Sequence, residues 1–452
     1  MTIDTYRYVY SGASTLTGDG LLLQTSGGRT DQGVAPHPRF FTGFLASAQR
    51  TAAGMLVLAD LARTDFRRMG TERTYRDPVV TSDGSLLRME AFSACCGAYG
   101  RLDVLGPALD GETHAHGTTN VDINPPLYTA LTRVGAGDPL RLSVGPDELA
   151  VTTLDGAVVE RRVPLPERWL RGLAEVPAQA ARMDLRAELS AAEAASFLGR
   201  LPARPERSDR WLLPAGRSLR ATVAASPGAV CLAAGHRLGI VRPLLPYLRT
   251  LRVYGPPVPA GSGPVASGWE LDLGDHRFVL LLSPGVNRGF SGEGGLLHEL
   301  AADLAVEDAE TVAALLGWTG PVDIDDVTSA AGFDRDRVRA ALAVLATAGR
   351  VGYDLTELAY FRRELPYDVS RVEELNPRLR AARQLVADAA VRPTDDGFEV
   401  RSGERTYLVH RTSDGRVGCT CPWWAEHRGG RGPCKHVLAT SLPALSTVEV
   451  DR

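Results

Sequence analysis

The sequence predicts an α+β protein of several domains: a duplicated β-α-β-β-β-α core, a helix–turn–helix segment and a small cysteine-rich module near the C terminus. Three observations lead to this prediction. The chain has 452 residues, which is more than one hydrophobic core usually organises. One order of strand and helix patterns occurs twice in its middle part. Three cysteines and a histidine lie close together near its C-terminal end.

The composition excludes several classes of protein. Hydrophobic residues make up 44% of the chain and charged residues 23%, which are ordinary values for a globular protein. The net charge of −4 predicts no overall attraction to nucleic acid. No apolar run approaches the ~20 residues of a membrane helix, and the N terminus lacks a signal-peptide pattern. Because three of the six cysteines fall in one cluster, we expect a cytoplasmic protein with reduced thiols and no membrane partner.

Residues 1–115 are predicted to form an N-terminal α+β region. Its first part is polar and rich in glycine, which is typical of a hairpin or an arm. Leu45, Leu58 and Leu61 recur at helical spacing and predict a helix from about Phe44 to Phe66.

Two cysteines and two histidines follow this helix, and their residue types suit a second metal site: Cys95, Cys96, His114 and His116. Adjacent residues of a strand point to opposite faces, so Cys95 and Cys96 are poor joint ligands for one ion. Buried free thiols near a polar turn are the favoured interpretation. Whether the four side chains bind a second metal stays open.

Residues 116–305 are predicted to form the duplicated core. Asn120–Val134 matches Arg182–Leu198 as a strand followed by a helix, and Leu140–Val144 matches Leu219–Val223 as the next strand. The remaining predicted elements are strands Glu148–Thr153 and Val158–Val163 with helix Pro164–Leu173, and strands Ala229–Ala233 and Leu238–Val241 with helix Pro243–Leu251. The order β-α-β-β-β-α at about 122–176 and 183–255 resembles the saddle of TATA-binding-protein-like domains, and clamp-like folds are a second candidate. The phenylalanine pairs that such saddles insert between base steps are missing, so the resemblance carries no DNA binding with it.

A glycine-rich stretch at 285–298 precedes a predicted helix. Amide groups at such a helix start can bind an anion. The stretch lacks the lysine and the spacing of a phosphate-binding loop, so a structural turn is the favoured interpretation.

Residues 306–366 are predicted to form a winged-helix-like domain. Two helical patterns flank a turn at 331–333; Asp334 is placed to cap the second helix, and Gly349 to end it before the wing. Six arginines against eight acidic residues between Pro321 and Leu365 give a net charge of −2, which is not the basic footprint of a DNA reader. The candidate groove or partner contacts are Arg335, Arg337 and Arg339.

A linker helix is predicted within residues 367–396. It opens at Asn376 and Pro377, since proline suits the first helical position, and runs to about Val391. Its arginines, Arg378, Arg380 and Arg383, are expected to form a solvated face.

Residues 397–445 contain the strongest motif of the chain, C-x-C-x12-C-x-H, formed by Cys419, Cys421, Cys434 and His436. Four such ligands suit one tetrahedral Zn²⁺, and a closed Cys3His shell is typical of a structural site. Paired ligand spacing of this kind is a specific signal. The predicted cofactor is therefore one structural zinc ion.

This spacing resembles the SWIM zinc finger, whose ligands correspond to the same four residues, and the layout of the whole chain resembles SWIM proteins of actinobacteria. The finger is basic, with a net charge of +3 between Phe398 and Lys435. Its candidate contacts with nucleic acid or a partner are Trp423, Trp424, Arg428, Arg431 and Lys435. The tryptophans suit stacking on bases or anchoring of a protein interface, and one of them is expected to cover the zinc core.

The sequence shows no nucleophile–base pair, no paired carboxylates and no open metal site, so we expect a protein without catalysis of its own. The resemblance implies contact with DNA or other nucleic acid, with protein, or with both. It also implies an alternative role without nucleic acid, as adaptor or effector of a MoxR-type AAA+ ATPase and its von Willebrand A-domain partners. The remaining alternative is an enzyme that uses the Cys/His region at 95–116 or the glycine loop at 285–298.

Overall fold

The computed structural model describes residues 39–442 and four short strands between residues 15 and 35. Within 39–442 the stretches left out are 68–69, 72–77, 114, 164, 203, 205–209, 286–288, 293, 295–296, 298–304, 318–319, 366–375 and 412–416. The described chain is a mixed α+β structure with several antiparallel sheets, as predicted. None of its helices has the length and apolarity that a membrane crossing requires.

The first half of the chain alternates strands with short helices. Its elements are β1 (Thr15–Thr17), β2 (Gly20–Leu22), β3 (Gly28–Thr30), β4 (Gly33–Ala35), β5 (Phe41–Leu45), α1 (Ala48–Arg63), β6 (Thr64–Asp65), β7 (Gly70–Thr71), β8 (Val79–Ser82), β9 (Leu87–Phe92), β10 (Ala98–Val104), β11 (Leu109–Thr113), β12 (Gly117–Asn120), α2 (Pro125–Thr132), β13 (Arg141–Val144), β14 (Glu148–Thr153), β15 (Gly156–Arg161), α3 (Glu167–Ala180), β16 (Asp184–Ser190), α4 (Ala191–Gly199), β17 (Arg210–Ala215), β18 (Ser218–Thr222), β19 (Val230–Leu232), β20 (Thr250–Gly255), β21 (Ser267–Asp272) and β22 (His276–Leu282).

The second half is smaller and more helical. Its elements are α5 (Ala305–Leu315), α6 (Ile324–Ala331), α7 (Arg335–Thr347), β23 (Val351–Asp354), β24 (Ala359–Arg362), α8 (Pro377–Ala387), β25 (Val391–Thr394), β26 (Gly397–Ser402), β27 (Arg405–Arg411), β28 (Val417–Cys419), α9 (Pro422–His427) and α10 (Lys435–Ser441).

An eight-stranded antiparallel sheet in the order β12-β8-β9-β10-β22-β21-β20-β16 forms the centre of the first half. Its strands β9, β10 and β22 are continuously buried, and α1 packs on these three strands. Two smaller sheets, β11-β5-β13-β14-β15 and β18-β17-β19, lie outside it. Because the large sheet combines β8–β10 with β12 and β22, it crosses the predicted domain boundary at 115–116.

The structure corrects three predicted elements of this half. The predicted helix at Phe44–Phe66 begins only at Ala48, because Phe41–Leu45 pairs with β11 and β13 as a strand. The predicted strand Leu238–Val241 lies instead in a 3-10 helix, Gly235–Tyr247. The predicted helix Pro243–Leu251 shares that 3-10 helix only as far as Tyr247, because Thr250–Gly255 forms β20 and pairs with β16 and β21. Sequence reasoning also missed β17, which pairs with both β18 and β19. The duplication of the core stays a prediction.

The predicted helix–turn–helix elements are present in the second half. Asp334 accepts a hydrogen bond from the amide of Arg337 and so caps α7. Gly332 at φ +68° ends α6 in the left-handed conformation that glycine adopts without strain. The hairpin β23–β24 follows where the wing is predicted. Membership of the winged-helix class stays a prediction.

A buried ionic cluster joins the hairpin β23–β24 to the large sheet. Asp354, at the end of β23, lies within 3.1–3.4 Å of three arginine side chains of the sheet: Arg88, Arg101 and Arg277. Burial by itself raises the pKa of Asp354, but the arginines, Arg101 most strongly, outweigh it and hold the pKa well below its ordinary value. Nearby, Arg363 donates to Glu90 at 2.7 Å, and both side chains are 1% exposed. The two halves of the chain therefore meet through paired buried charges.

The C-terminal sheet has the order β25-β26-β27-β28, and α8 and α10 pack together beside it. The helix predicted to run to Val391 ends at Ala387, because Val391–Thr394 forms β25 and pairs with β26. Helix α8 and β25 therefore belong structurally with the module that carries the four predicted metal ligands.

Candidate metal centre

The four predicted ligands converge on one point. One potential ligand atom from each of Cys419, Cys421, Cys434 and His436 lies within 4.8 Å of all the others, and all four residues are buried. The Nδ1 atom of His436 is 3.8 Å from the Cys419 sulfur and 4.0 Å from the Cys434 sulfur. A tetrahedral zinc shell with ordinary bond lengths places sulfur and nitrogen about 3.6 Å apart. The donor set and its spacing thus fit one structural Zn²⁺.

The ends of one strand and two helices position the three thiols of the metal site. Cys419 ends β28, while Cys421 and Cys434 are the N-cap residues of α9 and α10. Their sulfurs accept hydrogen bonds at 3.4 Å from the amides of Trp424 and Val437. Helix N-termini favour negative charge, so both amide hydrogen bonds favour a thiolate, but burial outweighs this effect at Cys421 and raises its pKa. Proline at the first position of α9 costs no helical hydrogen bond.

The thiols differ in acidity before any metal binds. A hydrogen bond from the Cys419 thiol is the main reason that the pKa of Cys434 lies below its ordinary value. The same hydrogen bond is the main reason that the pKa of Cys419 lies above its own. The hydrogen bond therefore favours the thiolate form of Cys434 over that of Cys419, and a bound zinc ion would deprotonate the thiols as it binds.

Residues 413–442 match the SWIM zinc finger. The match covers the four ligands and leaves most of the chain outside it. No curated protein matches this chain. Among solved structures, the chain is similar to proliferating cellular nuclear antigen from Entamoeba histolytica, with TM-score 0.34, 10% identity, and 54% of this chain and 98% of that chain covered. It is also similar to the PCNA2–PCNA3 complex from Sulfolobus tokodaii, with TM-score 0.39, 9% identity and the same two coverages.

Two of the candidate contact residues of the SWIM finger take part in its internal packing. The Trp423 ring lies under two guanidinium groups, with ring-centroid distances of 4.7 Å to Arg378 and 5.2 Å to Arg431. Arg431 also donates to the carbonyl of Gly292, and Arg378 donates to the carbonyls of Arg431 and Pro433. Arg378, expected on a solvated face, instead ties α8 to the loop between the two ligand pairs.

The other candidate contacts of the finger are more accessible. Arg428 is exposed, in the left-handed turn that ends α9, and Lys435 is half-buried at the start of α10. Trp424 is half-buried beside Gly429. Sequence reasoning missed Tyr407, whose ring stacks on that of His436 at 4.4 Å. Tyr407 and Val409 are two residues apart in β27 and therefore lie on the same face of the strand. This alternation could have indicated that Tyr407 faces the metal site.

The three candidate arginines of α7 are already engaged with carboxylates of this chain. Arg335 pairs with Asp325, and Arg339 pairs with Asp336 at 2.9 Å. Arg337 forms two hydrogen bonds with Asp308, which raise its pKa, and lies 4.1 Å above the Phe333 ring. A phosphate would therefore have to compete with these carboxylates.

The residues of the two alternative sites, the Cys/His region at 95–116 and the glycine loop at 285–298, take part in the packing of the fold. Cys95 and Cys96 are buried, and burial raises the pKa of Cys96 to about 12, which disfavours a reactive thiolate. His116 lies against Gly84, and it forms no cluster of three or more ligands with these cysteines within the described part of the chain. His114 lies outside the described residues. In the glycine loop, Gly289 contacts the backbone of Cys95–Cys96, while Gly292 and Gly294 contact arginines of the zinc module.

Gly432 provides a test of this packing. It adopts φ +73°, and a Cβ atom there would collide with the backbone of Gly294. We expect Gly432→Ala to lower stability by about 2–4 kcal/mol, as the sum of a left-handed alanine and a steric clash. Gly403→Ala is the matched control, because Gly403 has φ +64° with nothing near its Cβ position. It should cost about 1 kcal/mol. Equal melting shifts for the two zinc-loaded variants would contradict the close contact.

Proposed function

We propose that this protein is a non-catalytic interaction protein whose zinc-stabilised SWIM finger contacts a protein partner. The observation that carries the proposal is a closed, buried Cys3His cluster beside a largely apolar surface groove. A site with four protein ligands keeps no position for substrate, so the metal serves the fold. An apolar groove on a finger held rigid in this way suits a partner's side chain.

A nucleic-acid contact is the second candidate, and the basic character of the finger favours it. Arg401, Arg405 and Arg428 of the finger are exposed. Against it stand the ion pairs of the α7 arginines and the guanidinium groups that lie over Trp423, because stacking on bases requires an open aromatic face. The proposed contact with a protein partner includes a role as adaptor of a MoxR-type AAA+ ATPase. It also includes a cytoplasmic location and the domain layout of actinobacterial SWIM proteins.

A display experiment tests the choice of partner. Zinc-loaded protein is used to select from a random peptide library, with Cys434→Ser protein as the counter-selection. We expect enriched peptides that bind the intact protein and lose binding to the variant. In parallel, double- and single-stranded DNA and RNA are titrated over a salt series. Salt-sensitive nucleic-acid binding lost in the variant, without enriched peptides, would replace the protein partner with nucleic acid.

A further inference from the structure

The groove beside the metal site has a definite chemistry. It encloses about 350 Å³ between α8, β27 and the N-termini of α9 and α10. Apolar atoms dominate its lining, with Pro377, Ala381 and Pro422 as the aliphatic wall. The two charged residues of the described lining are cations, Arg378 and Lys435, and no carboxylate lines the groove.

Four side chains of its described lining carry N–H donors: Arg378, Trp423, Lys435 and His436. The Nδ1 atom of His436 faces the sulfurs, so a ligating imidazole carries its proton on Nε2. That Nε2 atom is buried and has no hydrogen-bond partner among the described residues, and the same is true of Nε1 of Trp423. A metal-bound histidine ordinarily donates its second N–H to a carboxylate or a carbonyl. The acceptor that completes this arrangement is absent from the described part of the chain.

We propose that this groove binds an acidic peptide segment of a partner protein, with one large aliphatic side chain against the aliphatic wall. The partner's carboxylates would pair with Lys435, and its carboxylate or backbone oxygens would accept from the imidazole and indole donors. A nucleobase fits less well, because the Trp423 ring already contacts Arg378 and Arg431 and the Tyr407 ring stacks on His436. This inference rests on the proposed function and specifies the chemistry of the partner.

The test uses three labelled nine-residue peptides and the zinc-loaded full chain. One peptide carries two leucines between aspartates and glutamates, the second replaces the acids with lysines, and the third replaces the leucines with serines. Fluorescence anisotropy should show binding of the first peptide, and at least tenfold weaker binding of the other two. Lys435→Glu should weaken binding of the acidic peptide at least tenfold, and Ala381→Trp should block it by filling the groove.

Arg405→Glu is the matched control, because it reverses an exposed charge of the same module outside the groove lining. Zinc content is measured for every variant, so that loss of the metal is not mistaken for loss of the contact. Equal weakening by Arg405→Glu and Lys435→Glu would overturn the groove and leave a general charge effect. Selected peptides that are not acidic, with affinity unchanged by Ala381→Trp, would overturn this inference while the proposed protein contact stands. Binding of none of the three peptides and of no selected peptide, together with nucleic-acid binding that Lys435→Glu abolishes, would overturn both.

Discussion

Replacement of Cys434 by serine is expected to abolish zinc binding and to unfold the C-terminal module. Three ligands remain in Cys434→Ser, and a structural site needs its full shell. Zinc supplies about 10–16 kcal/mol of apparent folding free energy to isolated finger peptides near neutral pH, so little of the module should stay folded without it. Metal analysis should find the single zinc equivalent lost. Fluorescence of Trp423 and Trp424, which lie beside the second ligand, should shift as they become exposed to water.

The extent of unfolding is the more informative measurement. The buried residues around the ligands belong to the same hydrophobic cluster as those of α5–α7, and Leu379, Leu385 and Val400 are members of it. Hydrogen exchange should therefore quicken in β25–β28, α8 and α10, and less strongly in α7, while the eight-stranded sheet stays protected. Cys231→Ser, at a buried cysteine outside the cluster, is the matched control and should retain zinc. Retention of zinc by Cys434→Ser would refute the assigned shell.

Arg363→Met is expected to destabilise the protein by about 3–5 kcal/mol, because it leaves the buried Glu90 carboxylate without its cationic partner. The guanidinium also donates to the carbonyls of Leu173 and Val351, at 3.0 and 2.8 Å, and methionine satisfies neither. The loss should appear where the hairpin β23–β24 meets the large sheet. Urea unfolding followed by hydrogen exchange measures both its size and its place.

The neighbouring arginine provides the control. Arg362 pairs with Glu364, whose side chain is 47% exposed, so Arg362→Met should cost about 1 kcal/mol or less. Adding Glu90→Gln to Arg363→Met removes the unpaired charge and should recover part of the loss. If the double variant were as unstable as the sum of the two single variants, the buried pair would not be the cause.

The metal site was predictable from sequence because its ligands lie close together along the chain. Two short pairs of ligands and a glycine-rich loop bring Cys419, Cys421, Cys434 and His436 together with few choices of geometry. The same holds for the caps at Asp334 and Gly332, whose hydrogen bonds and backbone angles are local. Some of the misplaced elements are those in which pairing with a distant strand outweighed the local pattern. Phe44 is an example, because its strand pairs with residues about a hundred positions away.

The contact residues could not be assigned from sequence for a related reason. The sequence gives the charge of each arginine. The folded structure decides which acidic group or carbonyl lies close enough to pair with it. Arg337 donates a hydrogen bond to Asp308, and Arg431 donates one to the carbonyl of Gly292, and both acceptors are distant in the sequence. Arg378 illustrates the opposite error, since its helical position indicated solvent while the folded chain places it over Trp423. Charge counts alone therefore overstated the number of cations open to a partner.

The sequence by itself determined the zinc ligands, the closed type of the site and the capped helix–turn–helix elements. These features depend on short-range spacing, backbone preference and capping, and residues close in the sequence determine all three. Only the tertiary structure decided that one sheet joins both sides of the predicted boundary, that buried ion pairs hold the hairpin to it, and that an apolar, donor-rich groove adjoins the metal site. Each of these depends on long-range pairing of strands and side chains, and its energy comes from burial of groups that the linear sequence keeps far apart.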